Sequence, residues 1–301
     1  MSLFKGSAVA IITPFSEDGS VNFKKLSELV DFHLKNKTDA ILVAGTTGEA
    51  STMTDEEQVE VVKFVVGKVK NRVPVIAGAG SNDTRHGINL SKLCEEAGAD
   101  ALLHVTPYYN KTSQKGLYEH FKVMANAVSI PVLLYNVPGR TGMTIAPETV
   151  ALLAEIPNII GLKDATGDLS YTCKVKSLVP RDFAIYSGND DVVLPVLSLG
   201  GSGVISVWAN VCPAEVHNMC AYFFNGDIEK AWEIQTKHKA FIDALFMETN
   251  PIPLKAAMKI LGRDSGQLRL PLYKASKNTE DTLRKTMIDL ALLQEVSKII
   301  H

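Results

Sequence analysis

Eight short apolar, β-branched runs recur along the 301-residue chain, and their spacing constrains the fold more than any other feature. They occupy residues 8–12, 40–43, 75–77, 101–105, 132–135, 159–162, 183–186 and 203–207. Each is apolar nearly throughout instead of alternating, the pattern of strands buried on both faces of a parallel sheet. Successive runs lie roughly 20 to 35 residues apart, which leaves room for one crossover helix each. The segments between them carry helix signals. Thr54-Asp55-Glu56-Glu57 is a capping box opening a segment that sets Val59, Val62, Val66 and Val69 on one face. Pro147 suits the first turn of 147–155, and Gly98 suits the end of the helix containing Leu93 and Cys94. Helices are also expected over 22–35, 114–128, 168–178, 190–199 and 213–224.

Eight βα units in a row predict a (β/α)8 TIM barrel. A doubly wound open sheet is the alternative, but its G-x-G-x-x-G fingerprint is missing from the first βα turn, Thr13-Pro14-Phe15. From Asp227 onward no strand candidate remains, and 228–246, 253–261 and 279–300 read as helices. Asn250-Pro251-Ile252-Pro253 and Arg269-Leu270-Pro271 break them. The expected organisation is a catalytic barrel over residues 1–226 and a C-terminal helical region over 227–301.

Composition narrows the function. With 31 Lys+Arg against 33 Asp+Glu the net charge is −2, too little positive field for non-specific nucleic-acid binding. No apolar stretch approaches the roughly 20 residues of a membrane helix. The first residues, Met1-Ser2-Leu3-Phe4-Lys5, lack the pattern of a signal peptide. Cys94, Cys173, Cys212 and Cys220 show no C-x-x-C spacing and are expected as reduced thiols. Without a secretion signal, the Asn82 and Asn110 glycosylation triplets read as chance. A cytoplasmic enzyme is the expectation.

In a barrel of this kind the C-terminal ends of the strands line the active site. Glycines and hydroxyls dominate those ends, as in Gly78-Ala79-Gly80 and Ser187-Gly188-Asn189, and there is one lysine, Lys163. Burial disfavours the ammonium form and turns a lysine into an amine nucleophile for carbonyl compounds. The plainer alternative is a lysine resting on Asp164 or Glu49. Gly45-Thr46-Thr47-Gly48 offers backbone N–H groups and two hydroxyls to a small carboxylate, unless it is a simple βα loop. Tyr135 ends its strand and can relay protons. Arg140 sits on the following loop and suits a second carboxylate, unless it is merely solvated. Tyr108 and Tyr109 are loop-packing or site aromatics, and Gly200-Gly201-Ser202-Gly203 reads as a helix terminator. The seven histidines show no ligand spacing and His104 reads as a core residue, so no metal is expected. A G-x-S-x-G elbow is missing too. What remains is a metal-free amine catalyst for a small acidic carbonyl compound.

Five motifs carry a resemblance. Gly45-Thr46-Thr47-Gly48-Glu49, Pro107-Tyr108-Tyr109-Asn110, Tyr135-Asn136-Val137-Pro138-Gly139-Arg140-Thr141, Gly161-Leu162-Lys163-Asp164-Ala165-Thr166-Gly167 and Gly203-Val204-Ile205-Ser206 together resemble the dihydrodipicolinate synthase family of pyruvate-dependent class I aldolases. The resemblance implies condensation of pyruvate with aspartate 4-semialdehyde in lysine biosynthesis, with no cofactor beyond a pyruvate Schiff base on Lys163. It implies a relay of Tyr135, Thr46 and Tyr109, the last donated across a dimer interface in a homotetramer. Thr46 and Thr47 would hold the pyruvate carboxylate, Gly188 and the Ile205 carbonyl would lie near the reacting centre, and Arg140 would hold the semialdehyde. Where feedback-inhibited members hold a lysine effector, this chain has Asp55 and Gln58 at histidine positions and His86 at a glutamate position, while Asn82 and Tyr108 match. Loss of that carboxylate removes a charge-assisted bond of roughly 1.5–3 kcal/mol, so weak or absent inhibition by lysine is expected. N-acetylneuraminate lyase and 2-keto-3-deoxy sugar-acid aldolases share the mechanism but lack Gly-Arg-Thr after the tyrosine. A ligand-sensing barrel would have no need of the lysine.

Overall fold

The computed structural model describes residues 2–294. Side-chain alternation at a period of two builds the barrel. In β1 (Gly6–Ala10), Ala8 and Ala10 join the inner apolar layer while Val9 joins the outer one. In β2 (Ala40–Val43), Ala40 and Leu42 point in while Ile41 and Val43 point out, and all four are buried. The strands are apolar throughout because both faces are covered. β3 (Val75–Gly78), β4 (Ala101–Val105), β5 (Val132–Asn136), β6 (Ile159–Asp164), β7 (Ala184–Ser187) and β8 (Gly203–Ser206) complete a closed barrel. Every neighbouring pair is parallel, and β8 returns to β1 with Ile205 opposite Ala8. The open sheet is thereby excluded. Phe4 stacks on Tyr186 inside the barrel at 4.2 Å between ring centroids.

Most strand limits shift by one or two residues from the sequence reading, β1 and β6 among them. The N–H of Ile12 donates to the Asn210 side chain (3.1 Å), which ends β1 early. β6 runs on to Asp164, so Lys163 stands within the strand and not beyond it.

The outer ring consists of α1 (Phe23–Lys35), α2 (Asp55–Val69), α3 (Thr84–Glu96), α4 (Gln114–Ala125), the short α5 (Pro138–Thr141), α6 (Pro147–Leu153), α7 (Leu169–Leu178), α8 (Val193–Ser198) and α9 (Pro213–Phe224). The Thr54 capping box forms in full. The buried stripe of α2 is Gln58, Val61, Val62, Val65 and Val69, so Val59 and Val66 flank the core contact instead of centring it. Residues 190–199 do not form one helix. A 3-10 turn over Asp190–Val192 precedes α8, because the Asp190 carboxylate turns to the N–H groups of Val207 and Trp208 (3.0 and 2.9 Å). After the barrel come α10 (Ile228–Ala244), α11 (Ile252–Ile260) and α12 (Lys277–Asp289). Of the last expected helix, 279–300, residues 295–300 lie outside the described span. Phe241, Ile242, Leu254 and Met287 join the barrel's outer apolar layer. No helix among the described residues is long and apolar enough to cross a membrane.

Candidate active site

Register brings the first two site residues together. Tyr135 of β5 pairs with Lys163 of β6, and residues opposite one another in a ladder share a face. The Lys163 Nζ lies 4.4 Å from the Tyr135 ring centroid, and the lysine is only 6% exposed. Burial lowers its amine to about 8; Asp190 opposes that shift and Arg140 adds to it. Neither of the two carboxylates offered as a resting partner takes that role. Asp164 accepts the Thr172 hydroxyl (2.6 Å) and the Thr166 N–H (3.0 Å), while Glu49 pairs with Lys255. Burial also pushes the Tyr135 phenol up, against the opposing pull of Arg140 and a hydrogen bond with the Thr46 side chain. At neutral pH it keeps its proton.

The turn after β2 lies between two non-glycine residues in the left-handed region, Ala44 (φ 51°) and Glu49 (φ 57°). Gly78 permits this close passage, since a Cβ there would sit 2.2 Å from the Ala44 carbonyl oxygen. The Glu49 N–H donates to the Thr46 carbonyl (3.1 Å) and the Thr13 hydroxyl to the Gly48 carbonyl (2.7 Å). The N–H groups of Thr47 and Gly48 meet no acceptor among the described residues. Buried Thr47 accepts at Oγ1 from the Asn250 side-chain amide at 2.9 Å. Arg140 donates from Nη2 to the Asn250 carbonyl at 2.8 Å, which pins an otherwise exposed guanidinium.

A cavity of about 590 Å3 brings together Thr46, Thr47, Tyr135, Arg140, Lys163 and Gly188. At Gly188 a Cβ would come within 2.7 Å of the Ala165 Cβ, and its N–H donates to the Asp164 carbonyl at 2.7 Å. Two expected residues are not among its lining. Ile205 turns its fully buried side chain into the inner barrel layer. Tyr109 is 92% exposed at φ 69°, and it is Tyr108 that lines the cavity from this loop. Sequence reasoning missed two residues: Asp190, read as the start of a helix, and Asn250, whose Asn-Pro-Ile-Pro segment was read as a helix break similar to the family's but given no role in the site. For Asn250 the signal was present in the Asn-Pro pair, which marks chain held in a fixed turn. Gly200 (φ 88°) ends α8 as expected, with the Gly201 N–H on the Val196 carbonyl (3.0 Å). His104 is a fully buried histidine whose Nε2 meets the Ser91 hydroxyl (2.9 Å), and burial lowers it to about 3.

The same cavity extends to Asp55, Gln58 and His86. There His86 Nε2 meets Asp55 Oδ1 at 2.9 Å and its Nδ1 meets the Ser81 hydroxyl at 2.9 Å. The Asn82 amide donates to the Tyr108 carbonyl at 3.2 Å.

The sequence profile of the dihydrodipicolinate synthetase family matches residues 3–290. The chain belongs to that family. The 4-hydroxy-tetrahydrodipicolinate synthase of Caldicellulosiruptor bescii is 54% identical over 292 residues, 97% of this chain and 99% of the relative. Two solved structures of the family superpose closely. A monomeric dihydrodipicolinate synthase variant gives a TM-score of 0.95 at 41% identity, with 97% of this chain and 98% of that chain covered. The chloride-inhibited dihydrodipicolinate synthase of Acinetobacter baumannii complexed with pyruvate gives 0.94 at 42% identity, with 96% and 99% covered. This chain is accordingly an enzyme, a lyase of lysine biosynthesis. The family resemblance carried by the five motifs extends over nearly the whole chain.

Proposed function

We propose that the chain condenses pyruvate with L-aspartate 4-semialdehyde through a Schiff base on Lys163, giving 4-hydroxy-tetrahydrodipicolinate. The observation that carries this reading is a buried amine, lowered to about 8 and free of both neighbouring carboxylates, in one cavity with an anion turn and an arginine. The neutral Lys163 amine attacks the ketone carbon of pyruvate, and the resulting carbinolamine loses water to give an iminium. Tyr135, whose ring centroid lies 4.4 Å from the amine and whose phenol holds its proton, is the residue to supply the proton that leaves with that water. Loss of a methyl proton then gives an enamine, whose carbon attacks the aldehyde of the semialdehyde. Finally the amine of the bound semialdehyde unit attacks the iminium carbon, closes the ring and releases Lys163. One water leaves overall. Thr46 and Thr47, with the free N–H groups of their turn, fit the pyruvate carboxylate; Arg140 fits the carboxylate of the semialdehyde. This placing of Arg140 favours the amino-aldehyde over a sugar-acid aldehyde.

The exposure of Tyr109 fits donation to the site of a second copy, in a dimer that pairs again into a tetramer. Gly188 and the Ile205 carbonyl would border the reacting centre. The effector position is occupied by a hydrogen-bonded pair of the chain itself, His86 on Asp55. With Asp55 spent on His86, no free carboxylate awaits an ammonium, which supports weak or absent inhibition by lysine. Borohydride reduction in the presence of pyruvate should add a single pyruvate-derived mass increment at Lys163. Labelling elsewhere, or none, ends the Schiff-base reading. Titrating the activity with lysine should show half-inhibition only above about 1 mM, a binding free energy weaker than roughly −4 kcal/mol.

A further inference from the structure

Asn250 lies 203 positions from Thr47 and 110 from Arg140 along the chain, yet touches both. Its side chain is held at 5% exposure, borders the active-site cavity, and makes one hydrogen bond among the described residues, from Nδ2 to the Thr47 hydroxyl. The Oδ1 atom is buried without a partner, so the amide satisfies no fold-level need at that end. Its backbone carbonyl accepts from the Arg140 guanidinium at 2.8 Å.

A hydroxyl carries one hydrogen and two acceptor positions. When the Asn250 amide donates to Oγ1, the Thr47 hydrogen is left for another acceptor, and none is present among the described residues. A hydroxyl held in this way is preset to donate to a small anion in the cavity. Arg140 is held at the same residue but through main chain. We propose that Asn250 is a positioning residue that sets both acid-binding groups, Thr47 through its side chain and Arg140 through its carbonyl. The residue comes from the segment joining α10 to α11, so the helical region supplies a brace to the mouth of the barrel. The proposal rests on the reading that two small acids bind here.

A double-mutant cycle tests it. Asn250→Ala keeps the carbonyl and deletes the amide, so the pyruvate KM should rise roughly 3- to 10-fold, the loss expected for one hydrogen bond. The semialdehyde KM should stay within about twofold, since the Arg140 anchor is main chain. In a Thr47→Val background the same change should add less than about twofold to the pyruvate KM. Asn250→Ser, too short to reach Thr47, carries the same expectation should the alanine variant not fold. Independent, multiplying effects in the cycle overturn the proposal, as does an equal rise in both KM values, which mere loosening of the fold would give. A calorimetric Kd for pyruvate on the wild-type protein separates the two failures. Wild type that binds pyruvate but gives a multiplying cycle removes the role of Asn250 alone. No pyruvate binding at all removes the reading beneath it.

Discussion

Lys163 works under opposed charges. With its amine at about 8, roughly a tenth is neutral at pH 7, and the neutral fraction grows about tenfold by pH 9. The nucleophile is the neutral form, so the rate of imine formation with pyruvate should climb through this range and level off above it. Asp190 holds the amine up and Arg140 holds it down. Asp190→Asn should therefore move the rising limb to lower pH, and Arg140→Ala should move it to higher pH. Single-turnover rates measured from pH 6 to 10 would decide the point: two shifts of the same sign contradict the arrangement. The same Arg140→Ala variant should raise the semialdehyde KM by 10-fold or more, as expected for a bond to a charged group worth roughly 1.5–3 kcal/mol.

Among the elements, α11 is tied to the turn after β2 by charge as well as by Asn250. Lys255, fully buried on α11, pairs with the equally buried Glu49 and donates to the Gln267 carbonyl at 2.8 Å. Its Nζ also sits 4.2 Å from the centre of the Phe15 ring. Arg269 extends the tie, reaching Glu57 of α2 through two bonds of 2.6 and 2.7 Å. Removing one member of a buried pair leaves an uncompensated charge and costs about 3–5 kcal/mol, whereas removing both is often neutral. Lys255→Met should thus lower the denaturant midpoint sharply, and adding Glu49→Gln should restore most of it. A double variant no more stable than the single one would show that α11 is held by other contacts. The strands and most helices of the barrel were legible because an unbroken apolar run, a capping box or a Pro147 start is local information. The 190–199 segment was misread because the partners of Asp190, the N–H groups of Val207 and Trp208, lie on a different strand end.

At the scale of the whole molecule, the exposed Tyr109 makes assembly a question of catalysis. In a 1:1 mixture of Lys163→Ala and Tyr109→Ala subunits, exchange into dimers should rebuild about a quarter of the sites, each with both residues intact. If Tyr109 serves its own subunit, every site stays defective and no activity returns. Refolding the two variants together and assaying the product distinguishes these outcomes.

The sequence by itself determined the eight-stranded barrel, the place of Lys163 and Tyr135 near strand ends, the glycine-threonine turn and the arginine loop. Each of these follows from local periodicity and from which residue types stand where an apolar run stops. Tertiary structure alone decided which carboxylates leave Lys163 free, that Asp190 lies within range of its charge, and that Asn250 braces Thr47 and Arg140. Those facts depend on contacts between residues far apart in the chain. Electrostatic and hydrogen-bond partnership is a matter of a few ångströms in space, and no local pattern of residues encodes it.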